Sequence, residues 1–147
     1  MRTGYGIVDV RGNSVTPVAW GVIRLDGEES FPDRLHRIHR ELSGLIVLHR
    51  PAEAAVEKVF LAKNASSALK LGQARGAAIV TCRAHGLSVH EYSAKEIKSA
   101  ATGYGAASKE QVAGMVARLL GIREPVPDDA SDALAMAFCR AVTRDLS

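Results

Sequence analysis

The stretch that most constrains this chain runs over residues 55–76. It opens as a short apolar run, Ala55-Val56-Glu57-Lys58-Val59-Phe60-Leu61, with the length and character of a buried strand. One carboxylate, Glu57, interrupts it. Burying an unpaired carboxylate is costly, so Glu57 needs a partner or must point into a cleft. A polar turn, Lys63-Asn64-Ala65-Ser66, follows Phe60, and then a helix of small residues over 68–84 that can lie close to whatever it covers.

The rest of the chain supplies what that unit packs against. Residues 5–10 and 15–24 read as strands joined by the turn Arg11-Gly12-Asn13-Ser14, an antiparallel hairpin. Residues 25–30 read as a loop. A helix over 32–49 follows, with Leu35, Ile38, Leu42, Leu45 and Ile46 on one face. Arg34, Arg37, Arg40 and Glu41 lie on the other, read as a solvated face. Pro51 ends this helix ahead of the Glu57 strand. Residues 87–92 form another strand. Ser93 with Glu96, and Ser108 with Gln111, have capping-box spacing and open helices over 94–100 and 109–120. Between them Gly103 and Gly105 make a loop flexible enough to reach a ligand. Gly121 is a candidate C-cap, residues 122–127 a linker, and a last helix runs over 129–140 with Asp128 as candidate N-cap. This order describes an α/β layer fold with a mixed sheet, organised as one domain over residues 1–147. Pattern alone does not choose among α/β folds.

Composition narrows the setting. Hydrophobic residues are 47% and charged residues 24%, ordinary for a soluble globular protein. The longest aliphatic run, residues 45–48, is far too short to span a bilayer, and the first residues show no apolar signal segment. The expectation is a cytoplasmic protein with no membrane association. Cys82 and Cys139 lack metal-ligand spacing and read as buried reduced thiols. His36, His39, His49, His85 and His90 show no zinc pattern and read as structural. A net charge of +3 and a pI near 9.1 permit nucleic-acid binding without demonstrating it.

Two segments, Glu57-Lys58-Val59-Phe60-Leu61-Ala62-Lys63-Asn64 and Ser67-Ala68-Leu69-Lys70-Leu71-Gly72-Gln73-Ala74-Arg75-Gly76, resemble the RuvC family of Holliday-junction resolvases. So long a contiguous match is far more specific than a lone short motif. Thr3-Gly4-Tyr5-Gly6 and Asp129-Ala130-Ser131-Asp132-Ala133-Leu134-Ala135 extend it over nearly the whole chain. The resemblance implies the ribonuclease H-like fold, a mixed sheet flanked by helices.

It also reassigns particular residues. By type, Asp129 and Asp132 at a helix start, on one face, read as capping groups that complement the exposed amides. By resemblance they are metal ligands together with Glu57. Bringing these carboxylates together has a physical cost: like charges about 4 Å apart repel by roughly 4 kcal/mol at an effective dielectric near 20. A divalent cation removes that cost, and hard oxygen ligands suit Mg²⁺, with Mn²⁺ possible. Two such ions per site, about 3.5–4 Å apart, can activate water and stabilise the leaving oxygen of a phosphodiester. By type, Lys98 and Lys109 are ordinary surface lysines flanking the Gly103–Gly105 loop; by resemblance they act near the scissile phosphate or on the DNA backbone. Lys63 and Lys70 are weaker candidates for phosphate contacts, which fix position without reading sequence. Phe60, a core residue by type, is by resemblance a stacking partner for a base opened at the junction centre.

The resemblance has one gap. The family opens with a short apolar strand ending in an aspartate, followed by a Pro-Gly-Ser-type turn, and no such strand precedes Thr3 here. That strand would lie centrally, between the hairpin and the Glu57 strand. Its absence would leave unpaired backbone groups and a core gap, and would remove a principal metal ligand. Asp9 lies further along the next strand and is no obvious substitute. The expectation is either a start assigned too late or a truncated chain that cleaves poorly and is less stable. The leading functional reading is a metal-dependent endonuclease that resolves Holliday junctions by paired nicks in recombination and repair. It would act as a homodimer alongside the RuvA–RuvB branch-migration complex. The alternative is a catalytically defective protein that binds four-way DNA junctions. An α/β domain unrelated to DNA is disfavoured by the specificity of the match.

Overall fold

The computed structural model describes residues 2–25, 27, 29–58 and 64–144. A long hairpin comes first: β1 (Arg2–Arg11) pairs antiparallel with β2 (Ser14–Arg24), with a register shift between Ile7 and Val8. Gly12, at φ 59°, supplies the left-handed turn residue that this tight reversal requires. Helix α1 (Phe31–His49) opens where the Ser30 side chain accepts from the Asp33 amide, with Pro32 in its first turn. Then come β3 (Glu53–Glu57), α2 (Ala65–Ala84), β4 (Ser88–Tyr92), α3 (Ala94–Thr102), α4 (Lys109–Leu120) and α5 (Asp128–Thr143).

The strands form two separate pairs. β1–β2 is antiparallel, and β3–β4 is parallel with α2 as its crossover. Among the described residues no ladder joins β1 to β3. A two-stranded pair is marginal by itself. What joins the two here is α5, which lies against β1, β2 and β3 and also against α3 and α4. Its Leu134, Ala135, Phe138 and Cys139 form the main core with Tyr92, Ile97, Val112 and Val116. A smaller core of Ile23, Leu25 and Ile38 lies under the hairpin, with Leu35, Leu42 and α2 alanines beside it.

Several local expectations hold. Both capping boxes are complete, and Gly121 closes α4 at φ 69°. Cys82 and Cys139 are buried thiols, and burial pushes Cys139 up to about 11. His39, His85 and His90 lie within hydrogen-bond distance of Thr81, Ser43 and Ser88, in keeping with a structural role. Others are corrected. Asp128 is not an N-cap: Pro127 occupies that position, no side chain caps the helix, and Asp128 is its first residue. Arg34 and Arg37 are not simply solvated. Arg34 donates to the Glu29 and Gly27 carbonyls and Arg37 pairs with Glu29 at 2.9 Å, which ties Gly27 and Glu29 to α1. The Glu57 strand begins earlier than the apolar run and ends at Glu57 itself, and Phe60 and Lys63 lie outside the described residues. Among the described residues no helix is long and apolar enough to cross a membrane.

Candidate active site

Glu57 is the last residue of β3, opposite Tyr92 of β4. The strand end is held from two sides. The Lys58 amide donates to the Tyr92 carbonyl at 2.8 Å, and Arg75 of α2 donates to the Glu57 carbonyl at 2.9 Å while also reaching the Glu91 carboxylate at 2.6 Å. The Glu57 carboxyl is half-buried. Burial pushes its pKa up, the negative charge of Asp132 adds to that, and Lys109 and Lys98 pull the other way. Glu57, Asp132, Lys98 and Lys109 therefore share one neighbourhood, assembled from β3, α5, α3 and the start of α4.

Cations on the chain partner the α5 aspartates. Lys109 Nζ lies 3.1 Å from Asp132 Oδ2. That hydrogen bond, with the charges of Asp132, Asp128 and Asp129, raises the Lys109 pKa. Arg2 Nε lies 3.4 Å from Asp129 Oδ2. The donor chemistry fits a hard divalent cation: Glu57 and Asp132 offer carboxylate oxygens, and their mutual repulsion is what such an ion relieves. The third expected ligand, Asp129, adds its charge at Lys109. Among the described residues no three acidic, His or Cys side chains are gathered closely enough to hold an ion, and Asp129 faces Arg2. Lys98 lies close enough to act on Glu57, and Lys70 is exposed on α2.

The first turns of α5 sit directly on β1. A Cβ on Gly4 would collide with the carbonyl of Asp129, and one on Gly6 would stand 2.8 Å from the Leu134 backbone and side chain. Gly4, Arg2 and Arg75 are thus site-building residues to which sequence reasoning gave no role. Gly4 and Arg75 lay inside the segments that carry the resemblance, which was the available signal. Arg2 carried none.

With this geometry in place, comparison with known proteins identifies the family. The family model described as crossover junction endodeoxyribonuclease RuvC matches residues 1–140. The RuvC of Coxiella burnetii (strain RSA 331 / Henzerling II) is 54% identical over 145 residues, covering 99% of this chain and 84% of its own. That of Geobacter sp. (strain M21) is 51% identical over 146 residues, covering 99% of this chain and 89% of its own. The structure superimposes on Thermus thermophilus RuvC with a TM-score of 0.90 at 33% identity, covering 99% of this chain and 90% of that one. Against T. thermophilus RuvC in complex with a Holliday junction substrate the TM-score is 0.91 at 34% identity, covering 97% and 88%. The ribonuclease H-like architecture, the matched length and the level of identity agree: this chain belongs to the RuvC family of crossover junction endodeoxyribonucleases.

Proposed function

We propose that this chain cuts four-way DNA junctions by metal-dependent phosphodiester hydrolysis in recombination and repair. One observation carries the proposal most directly: in a RuvC-family chain, the half-buried Glu57 of β3 feels the charge of Asp132 on α5 and of Lys98 and Lys109, and Lys109 is paired with Asp132 at 3.1 Å. Glu57 and Asp132 would hold Mg²⁺ or Mn²⁺, with Asp129 joining them on release from Arg2. A bound ion of this kind supplies Lewis-acid polarisation of the phosphate and a water of lowered pKa. The side chains do the rest. Lys98 and Lys109 neutralise and place the phosphate, Lys63 and Lys70 extend the contact along the backbone, and Phe60 stacks on an opened base. Paired nicking calls for two copies. Exposed apolar side chains on the adjacent helices α1 and α2 (Val47, Leu48, Leu69 and Val80) support a homodimer. The RuvA–RuvB machinery is the proposed partner in the cytoplasm.

Nicking of a four-way junction in Mg²⁺, with duplex of the same sequence as control, tests the reading. Junction-selective nicking supports it, and equal binding and cutting of duplex defeats it. The alternative of a junction binder without cleavage draws on one observation, the lack of a three-carboxylate cluster among the described residues. Selective binding without nicking in either Mg²⁺ or Mn²⁺ would favour it.

The lysines give a second expected outcome. Lys98→Ala and Lys109→Ala should each lower the salt slope of log K for junction binding by about 1, or slow cleavage, without unfolding the protein. Slopes and rates equal to wild type would return both to the role of surface residues.

A further inference from the structure

We infer that Arg140 is a positioning residue: its clasp on Glu53 and Tyr92 sets where α5 lies along β3, and so sets the separation of Asp132 from Glu57. The inference rests on the proposed reading of Glu57 and Asp132 as the ion-holding pair.

The argument begins with direction and length. In β3, Glu53, Ala55 and Glu57 alternate onto one face. Their ladder partners in β4 are Ser88, His90 and Tyr92. Helix α5 runs the opposite way along that face. Asp132 is near the Glu57 end and Arg140 is at the Glu53 end. From Glu53 to Glu57 a strand advances about 13 Å. From Asp132 to Arg140 a helix rises about 12 Å. Two lengths so nearly equal mean that a fixed contact at one end determines the spacing at the other.

The contact at the Glu53 end is of the fixed kind. Arg140 Nε donates to Glu53 Oε2 at 3.2 Å and Nη2 to Oε1 at 3.0 Å, a two-pronged guanidinium–carboxylate pair. Nη1 reaches the Tyr92 hydroxyl at 3.4 Å, and Thr143 Oγ1, which donates to the Cys139 carbonyl at 2.7 Å, lies 3.3 Å from the same hydroxyl. His90 Nε2 stands 3.7 Å from Glu53 Oε1 on the other side. The Arg140 side chain is only 16% exposed. A planar fork has one good docking geometry, which an ammonium lacks. Elsewhere α5 is held by β1, β2, α3 and α4, so the clasp acts on its register against β3 in particular. Ala55 contributes only a methyl group to the core, which lets a helix slide, and among the described residues β3 has no strand partner but β4.

Mn²⁺ binding to the full chain, followed by the EPR signal of free ion, tests this without relying on turnover. Arg140→Met should weaken Mn²⁺ binding about tenfold, the size found when groups that orient metal ligands are removed. Arg140→Lys, which keeps the charge but not the fork, should lose about threefold. Val112→Ala, which loosens the core beneath α4, should lose stability with Mn²⁺ affinity within twofold of wild type. Affinity within twofold of wild type in both Arg140 variants overturns the inference. So does an equal loss in Val112→Ala, because it would show that any destabilisation weakens the site. If Arg140→Met does not fold, Arg140→Lys decides by the same criterion. Unchanged Mn²⁺ affinity in Glu57→Gln is a separate result, which defeats the ion-holding reading itself.

Discussion

Glu57→Gln is expected to abolish metal-dependent nicking of a four-way junction, by at least about a hundredfold, while leaving junction binding intact and the folded protein more stable. The two effects share one cause. Glu57 is held half-buried beside Asp132, so burial and then that neighbour's charge raise its pKa in the folded state. A carboxyl with a raised folded pKa binds its proton more readily folded than unfolded. Stability therefore falls as pH rises from the ordinary carboxylate range through the raised value, and the penalty is complete above it. Glutamine keeps the shape without the charge. Its melting temperature should exceed wild type at neutral pH, and the gap should close as pH is lowered through that window. Glu53 has the opposite sign, because the Arg140 hydrogen bond lowers its pKa. Its contribution is present above its unfolded pKa and is lost as pH falls through the folded one. Asp129→Asn and Asp132→Asn should likewise stop nicking without loss of binding. Near-normal nicking by Glu57→Gln would remove Glu57 from the ion-holding set. A lower melting temperature would show that Lys98 and Lys109 outweigh the burial.

Gly4→Ala is expected to be among the most damaging single-methyl changes available in this chain. The new Cβ would run into the Asp129 carbonyl, which belongs to helix backbone and cannot swing aside as a side chain can. Relief requires β1 and the first turn of α5 to separate. Overpacking a core typically costs about 1–3 kcal/mol, and a backbone collision belongs at or above the top of that range. For a chain of this size that corresponds to a fall of roughly 6–12 °C in melting temperature. Because the displaced turn carries Asp129 and precedes Asp132, nicking should fall as well, even at temperatures where the variant is fully folded. Thermal unfolding and a nicking assay well below the transition check both parts. A melting temperature within a degree of wild type would mean that β1 and α5 accommodate the methyl group.

What the sequence made legible was local. Ser93 with Glu96, Ser108 with Gln111, Gly12 in the hairpin turn and Gly121 after α4 each act over a few residues, and each is where its spacing puts it. The Glu57 stretch was legible because a carboxylate in an apolar run demands an explanation. Asp128 was misjudged because an acidic residue suits several positions in a first helical turn, and only the backbone shows that Pro127 holds the cap. The ion pairs that shape the site join residues remote along the chain: Arg2 to Asp129, Arg140 to Glu53, Arg75 to Glu91. No periodicity couples such partners, and each arginine alone looks like surface charge. The role of α5 in spanning the two strand pairs follows only from its packing.

That spanning role bears on how the protein is made. On the ribosome the hairpin emerges before the parallel pair, and the helix that contacts both is the last element described. At about 5–20 residues per second, the hairpin waits roughly 6–24 s for the end of α5 to be synthesised. Throughout that interval β1 and β3 present open edges and apolar faces without their common cover, surfaces that pair readily with other strands. The main core closes only after α5 is made, and until then the two strand pairs meet through the smaller core in which α1 and α2 pack against the hairpin.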